Sequence, residues 1–128
     1  MGRRSVEVDK PWHKSIAFAQ GVIADGELLF TAGITARDPD GNVVGAGDMR
    51  RQIEQCFANL GDVLAAAGAG FGDVVKYTMY TTDIDAFSQH ADVYRRHFVD
   101  RPASTLIGVS RLASPDMLVE IEAVVRVP

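Results

Sequence analysis

The feature that most restricts the fold lies in the last quarter of the chain. Two apolar, β-branched runs, Ser104–Leu112 and Met117–Val127, are separated there by the turn-forming tetrapeptide Ala113-Ser114-Pro115-Asp116. The pattern predicts two adjacent central strands around which the other elements pack. Alternate residues of a strand point to opposite faces, so Val119, Ile121 and Ala123 share one side while Glu120 and Glu122 share the other. A carboxylate inside such a run has to face water, find a partner or sit in a site. A half-exposed strand with two solvated glutamates and a strand lining a site both satisfy this requirement.

Upstream, residues 5–36 alternate short apolar runs with turns, and the Asp25-Gly26 pair between two such runs predicts a meander of antiparallel strands. Gly33 interrupts the third run, where a glycine marks a bulge or lets a backbone or ligand come close. Asp48 is a good N-cap for a helix carrying Met49, Ile53, Cys56, Phe57, Leu60, Val63, Leu64 and Ala67 at helical spacing, with Gly68 placed to end it. The preceding Gly45-Ala46-Gly47 does not read as a phosphate loop, since no strand leads into it and Asp48 would repel a phosphate. Cys56 lies on the apolar stripe as a core residue. Asp73–Thr82 reads as a strand by its Val, Tyr and Thr content. Asp83 or Asp85 then caps a second helix with Phe87, Ala91, Tyr94 and Phe98 on one stripe, ended by Pro102. His90 and His97 lie on that helix about 10 Å apart, too far to share a metal ion, and read as solvated. His13 belongs to no motif.

The 128 residues fit one domain over 1–128, with strands, helix, strand, helix and two strands in order. That order describes an α+β fold, one sheet with two helices on one face. The other face would expose the apolar half of several strands, which predicts self-association. A net charge of −4 with scattered basic residues argues against a nucleic-acid partner. The lone Cys56, without clustered Cys or His, points to a reducing, cytoplasmic setting and to no metal or other cofactor. No apolar run approaches the ~20 residues of a membrane span. Met1-Gly2-Arg3-Arg4 is followed by Glu7, Asp9 and Lys10 rather than by the apolar core of a signal peptide.

From about residue 16 to residue 127 the chain resembles the RidA/YjgF/L-PSP family. The matching stretches are Ala19-Gln20-Gly21, Thr31-Ala32-Gly33, Gly47-Asp48 with Gln52, and Asn59-Leu60 with Leu64 and Ala67-Gly68. They continue through Asp73-Val74-Val75-Lys76, Asp85-Ala86-Phe87, Tyr94, Phe98, Pro102-Ala103, Arg111-Leu112 and Val119-Glu120-Ile121-Glu122-Ala123. The resemblance implies a chorismate-mutase-like α+β fold and a homotrimer in which the sheets form an inner barrel and small ligands bind in clefts between subunits. It implies hydrolysis of reactive imines and enamines to 2-oxo acids and ammonia. The first glutamate of the V-E-I-E run, near the attacking water in those enzymes, matches as Glu120. The arginine that grips the substrate carboxylate falls at Ser104, and the strand residue two further on, often cysteine, at Leu106. An aromatic hydroxyl near the chain start falls at Phe18, and a helix asparagine at Ala91.

A charge-assisted hydrogen bond contributes about 1.5–3 kcal/mol, so losing the arginine weakens carboxylate binding about tenfold to a hundredfold. Ser104 cannot replace a forked cation. Either Arg37 or Arg111 holds the carboxylate, or the ligand differs; with Leu106, Phe18 and Ala91 the pocket is expected to be apolar and to favour a larger or less charged ligand. Glu120 is the candidate catalytic residue, with Gly33 backbone groups and the Ser104 or Thr105 hydroxyl orienting the substrate. No activated nucleophile is visible. The leading reading is therefore a RidA-like homotrimer binding a small metabolite between subunits, with imine, enamine or related C–N hydrolysis as its reaction. A non-catalytic metabolite-binding or protective module is the alternative. The acidic balance argues against a ribonuclease or translation inhibitor.

Overall fold

The computed structural model describes residues 2–128 apart from the side chains of His13 and Lys14, so the reading of His13 lies outside the described side chains. Helix α1 (Met49–Ala66) forms where its local signals place it. Asp48, extended at φ −117°, accepts a hydrogen bond from the Arg51 backbone N–H at 3.1 Å, satisfying one of the open amides of the first turn. Gly68 takes φ +72°, and the Ala69 N–H donates back to the Leu64 carbonyl at 2.8 Å, which closes the helix. Ile53, Cys56, Phe57, Leu60 and Leu64 are buried as the stripe requires.

The main sheet has the order β3 (Leu28–Phe30), β6 (Val119–Arg126), β4 (Val74–Thr81), β5 (Ala103–Gly108). β6 runs antiparallel to both neighbours, whereas β4 and β5 are parallel. Parallel neighbours need a crossover, and α2 (Ile84–Ser88) with α3 (Ala91–His97) supplies it on the side of α1. The mixed α+β sheet with its helices on one face is as expected. The adjacency of the two C-terminal strands is not: β4 lies between them, and β5 is an edge strand ending at Gly108. The strand with alternate residues fully buried takes the central place.

The antiparallel meander is also corrected. β2 (Gly21–Ala24) pairs with β1 (Arg3–Val6), a strand the sequence did not announce, while β3 pairs with β6. The turn at Asp25-Gly26 does form, with Gly26 at φ +92°, but it carries the chain from one sheet to the other instead of closing a hairpin. The second helix divides at Gln89-His90 into α2, capped by Asp83, and α3. Phe87 and Phe98 stay buried across the break, and Phe98 stacks on Tyr77 at 4.1 Å. The two histidines are half-buried, not solvated. His97 stacks on Phe57 at 4.6 Å, with Nδ1 2.7 Å from the Val93 carbonyl, and His90 Nδ1 lies 3.5 Å from Arg50 Nη1.

β6 alternates along its whole length, and β4 does so from Lys76 on, past an irregularity at Val74–Val75 where both valines are buried. Tyr77, Met79, Val119, Ile121 and Ala123 are buried under the helices, while Lys76, Thr78, Tyr80, Glu120, Glu122 and Val124 occupy the open face. That face is polar at its centre rather than the apolar expanse expected. Its apolar exposure is confined to the margins, Leu28 and Phe30 on β3 and Ile107 on β5, with Phe30 at 69% the largest.

Gln52 joins helix to sheet. It is completely buried, yet its Nε2 donates to the carbonyls of Gly45 at 3.1 Å and Asp116 at 2.7 Å, and its Oε1 accepts the Leu118 N–H at 2.8 Å. Every polar atom of the amide is thereby used, and the loop entering β6 is held in place.

Candidate functional site

Glu120 stands on the open face of β6, next to the segment 31–35 that continues β3. Ile34 exchanges two backbone hydrogen bonds with Ile121, at 2.7 and 2.9 Å, and this pins Gly33 against the glutamate. A methyl group built on Gly33 would overlap Glu120 Oε2 and come within 2.8 Å of its Cδ. The close approach that the glycine signals is therefore to the Glu120 carboxylate.

These two residues share a cavity of about 430 Å³ with Thr35, Arg37, Asn59 and Met117. Asn59 Nδ2 donates to the carbonyls of Thr35 and Arg37 at 2.8 and 2.9 Å, and its Oδ1 accepts from Gln55 Nε2 at 2.9 Å. The loop carrying Arg37 is thus tied to α1. The guanidinium itself has a single weak bond, Nε to Thr35 Oγ1 at 3.4 Å. Among the described residues neither Arg37 nor Glu120 forms an ion pair, so the cavity presents both charges to a ligand. Arg111 is exposed, donates to the Leu112 carbonyl and does not line this cavity.

Cys56 lies beneath, fully buried, 3.7 Å from the Val119 carbonyl. Burial, and secondarily the charge of Glu120, push its thiol up to about 12. It carries no thiolate at neutral pH and is inert as a nucleophile. No cluster of three or more metal-ligating side chains occurs among the described residues, and no helix of theirs is long and apolar enough to cross a membrane.

A second cavity, of about 150 Å³, lies on the helix side of β5. The register that sets Ser104 opposite Tyr77 and Leu106 opposite Met79 puts these four on one face, and Phe18, Phe87 and Tyr94 close around them. Phe18 reaches the cavity because Arg101 Nη2 donates to its carbonyl at 2.7 Å and the Ala19 N–H donates to the Pro102 carbonyl at 3.2 Å. Burial raises the Tyr77 phenol to about 12, against a smaller opposing effect of its hydrogen bond with Ser104. Thr105 borders the cavity, and its hydroxyl accepts from Lys76 Nζ at 2.7 Å, which leaves its O–H to donate. Ala91 is half-buried in the first turn of α3 and lines neither cavity.

Within the single chain, then, Glu120 and Gly33 come together, and Phe18, Ser104, Thr105 and Leu106 come together, but in separate cavities. Sequence reasoning missed Thr35 and Asn59 as lining residues. The available signal was the pair of amides, Gln52 and Asn59, seven residues apart on the flank of the apolar stripe of α1.

Residues 12–127 match the family model described as Endoribonuclease L-PSP. The chain belongs to the L-PSP, or Rid, family. A RutC family protein of Pyrococcus horikoshii is 37% identical over 108 residues, covering 84% of either chain. The 2-iminobutanoate/2-iminopropanoate deaminase of Bos taurus is 33% identical over 108 residues, 84% of this chain and 77% of that protein. The crystal structure of the Rid protein YyfB from Yersinia pestis, a protein of unknown function, superposes with a TM-score of 0.90 at 31% identity, covering 98% of this chain and 99% of that one. The Rid fold is accordingly shared over the whole length that holds both cavities.

Proposed function

We propose that this Rid protein is a homotrimer that hydrolyses the C–N bond of a small imine or enamine, with Glu120 as the catalytic carboxylate and the site completed between subunits. The observation that carries this reading is the cavity lined both by Glu120, packed on Gly33, and by Arg37, whose guanidinium forms no ion pair among the described residues. A cation and an anion lining one cavity complement an α-imino acid, whose iminium nitrogen bears positive charge beside its carboxylate. Arg37 takes the carboxylate, in place of the arginine that the resemblance assigns to the Ser104 position. Glu120 accepts a proton from water as the water oxygen bonds to the iminium carbon and the C=N electron pair moves to nitrogen, then returns that proton to nitrogen; as the C–N bond breaks, the new hydroxyl forms the C=O bond and gives its proton to Glu120, and a 2-oxo acid and ammonia leave. The reaction draws only on water.

Assembly enters because the second group of candidate residues, on β5, lies in another cavity of the same protomer. A neighbouring copy brings its β5 cavity to the Glu120 cavity and joins the two. The polar open face, with Phe30 and Leu28 at its margin, is the surface this assembly covers.

The test is Glu120→Ala against an imine generated in situ by an amino-acid oxidase, following 2-oxo acid release above the spontaneous background. Turnover is expected to fall about a hundredfold to ten-thousandfold, with the trimer intact in sedimentation velocity. Wild-type protein that accelerates no imine, or that sediments as a monomer, overturns the proposal. Saturable calorimetric binding without turnover would instead place the chain among non-catalytic metabolite-binding modules.

A further inference from the structure

We infer that the β5 cavity is a subsite for an uncharged aryl group, so that the substrate is an imine or enamine bearing an aromatic side chain rather than a short alkyl one. This rests on the reaction proposed above and names its substrate class. The floor is Tyr77, Met79 and Phe87, each no more than 4% exposed; Tyr94 forms a wall, and Phe18 with the 39%-exposed Leu106 forms the mouth. No lining residue is ionised at neutral pH, and a charged group placed there would lose its hydration without compensation.

The Tyr77 hydroxyl is hydrogen-bonded to Ser104, so neither of these inner hydroxyls is left without a partner when an apolar group enters. Its size is about 150 Å³, and cavities of roughly that volume lined by apolar side chains stay dry and accept benzene-sized guests. Phe87 and Tyr94, with ring centroids 5.9 Å apart and tilted, present faces and edges of the kind aromatic rings pack against, and Met79 adds a polarisable sulfur. The methyl or ethyl group of a short-chain imine would leave most of this volume empty and forfeit the dispersion contacts of the walls. Ser104 is the determinant. A longer side chain at this strand position, beside Tyr77, would enter the cavity and take up its volume.

The experiment uses toluene as the probe, by saturation-transfer NMR and isothermal titration calorimetry on the intact protein. Wild type is expected to bind toluene and to prefer the imine of phenylalanine to that of alanine. Ser104→Arg is expected to bind toluene roughly tenfold or more weakly, since its guanidinium both fills and charges the space. If that variant does not fold by circular dichroism, Leu106→Lys at the mouth gives the same reading from an exposed position. Absence of toluene binding in wild type, or equal binding by the folded variant, overturns the subsite. Toluene binding with no imine turned over leaves the subsite standing and removes the hydrolase reading; brisk turnover of short-chain imines with no toluene binding does the reverse.

Discussion

The Glu120 cavity and the β5 cavity draw on the same sheet and are built by opposite means. The first is lined by a carboxylate, a guanidinium and an amide, and its shape depends on a glycine with no side chain to offer. The second is lined by four aromatic rings, a thioether and a leucine, and its inner hydroxyls, Tyr77 and Ser104, are bonded to each other. One leaves charge uncommitted, the other leaves volume unfilled. Chemistry needs the former, because a proton can be moved only by a group not already held; selectivity for bulk needs the latter, because rigid walls distinguish ligands by what fails to fit.

Three perturbations separate these regions. The largest effect is expected from Gln52→Leu, which leaves the Gly45 and Asp116 carbonyls and the Leu118 N–H without their partner. Stability is expected to fall by about 3 kcal/mol, measured by urea unfolding. Since the loop it holds enters β6, activity should suffer more than toluene affinity in the variant that remains folded. Equal losses would show that the two cavities are not separable.

Next comes Gly33→Ala. The new methyl collides with the Glu120 carboxylate and swings it away, and a displacement of about 1 Å at a catalytic group is enough for a loss of roughly a hundredfold in kcat. Toluene binding should be unchanged; a variant with normal kcat would mean that Glu120 does not act from the position it occupies here.

The smallest effect at neutral pH is the alkaline one. Cys56 under the first cavity has its thiol raised from 9.0 to about 12, and Tyr77 in the second its phenol from 10.0 to about 12. The unfolded chain releases these protons at the lower values while the folded chain keeps them, so stability is complete below pH 9 and declines as pH rises toward 12. Cys56→Ala should flatten the first part of that decline and Tyr77→Phe the later part, read from urea midpoints. A midpoint independent of pH across this window would show neither group to be protected.

What was legible in the sequence was what depends on neighbours along the chain. Asp48, the stripe from Met49 and the closing Gly68 specify α1 without reference to anything distant, and the alternation of β6 assigns Glu120 and Glu122 to one face. Pairing partners are a different matter. Nothing in Ser104–Leu112 or Met117–Val127 reveals that β4 comes between them, and Asp25-Gly26 makes its turn without joining the strands beside it. The stripe of Phe87, Tyr94 and Phe98 concealed the break at Gln89-His90, because a helix and two shorter pieces present the same residues inward. Gly33 and Glu120 each stand out in the sequence, but their contact spans 33 to 120 in the chain and is made by the Ile34–Ile121 bridge.

That contact constrains how this chain can be re-engineered. Because the bare backbone at position 33 and the acid at position 120 occupy one another's space, a side chain at 33 displaces the carboxylate, while a shorter residue at 120 frees the room for one. In a pooled library randomising both and selected for folding alone, larger residues at 33 are expected beside shorter ones at 120. A screen that reads each column separately would average over that pairing, when the quantity under selection is their joint volume.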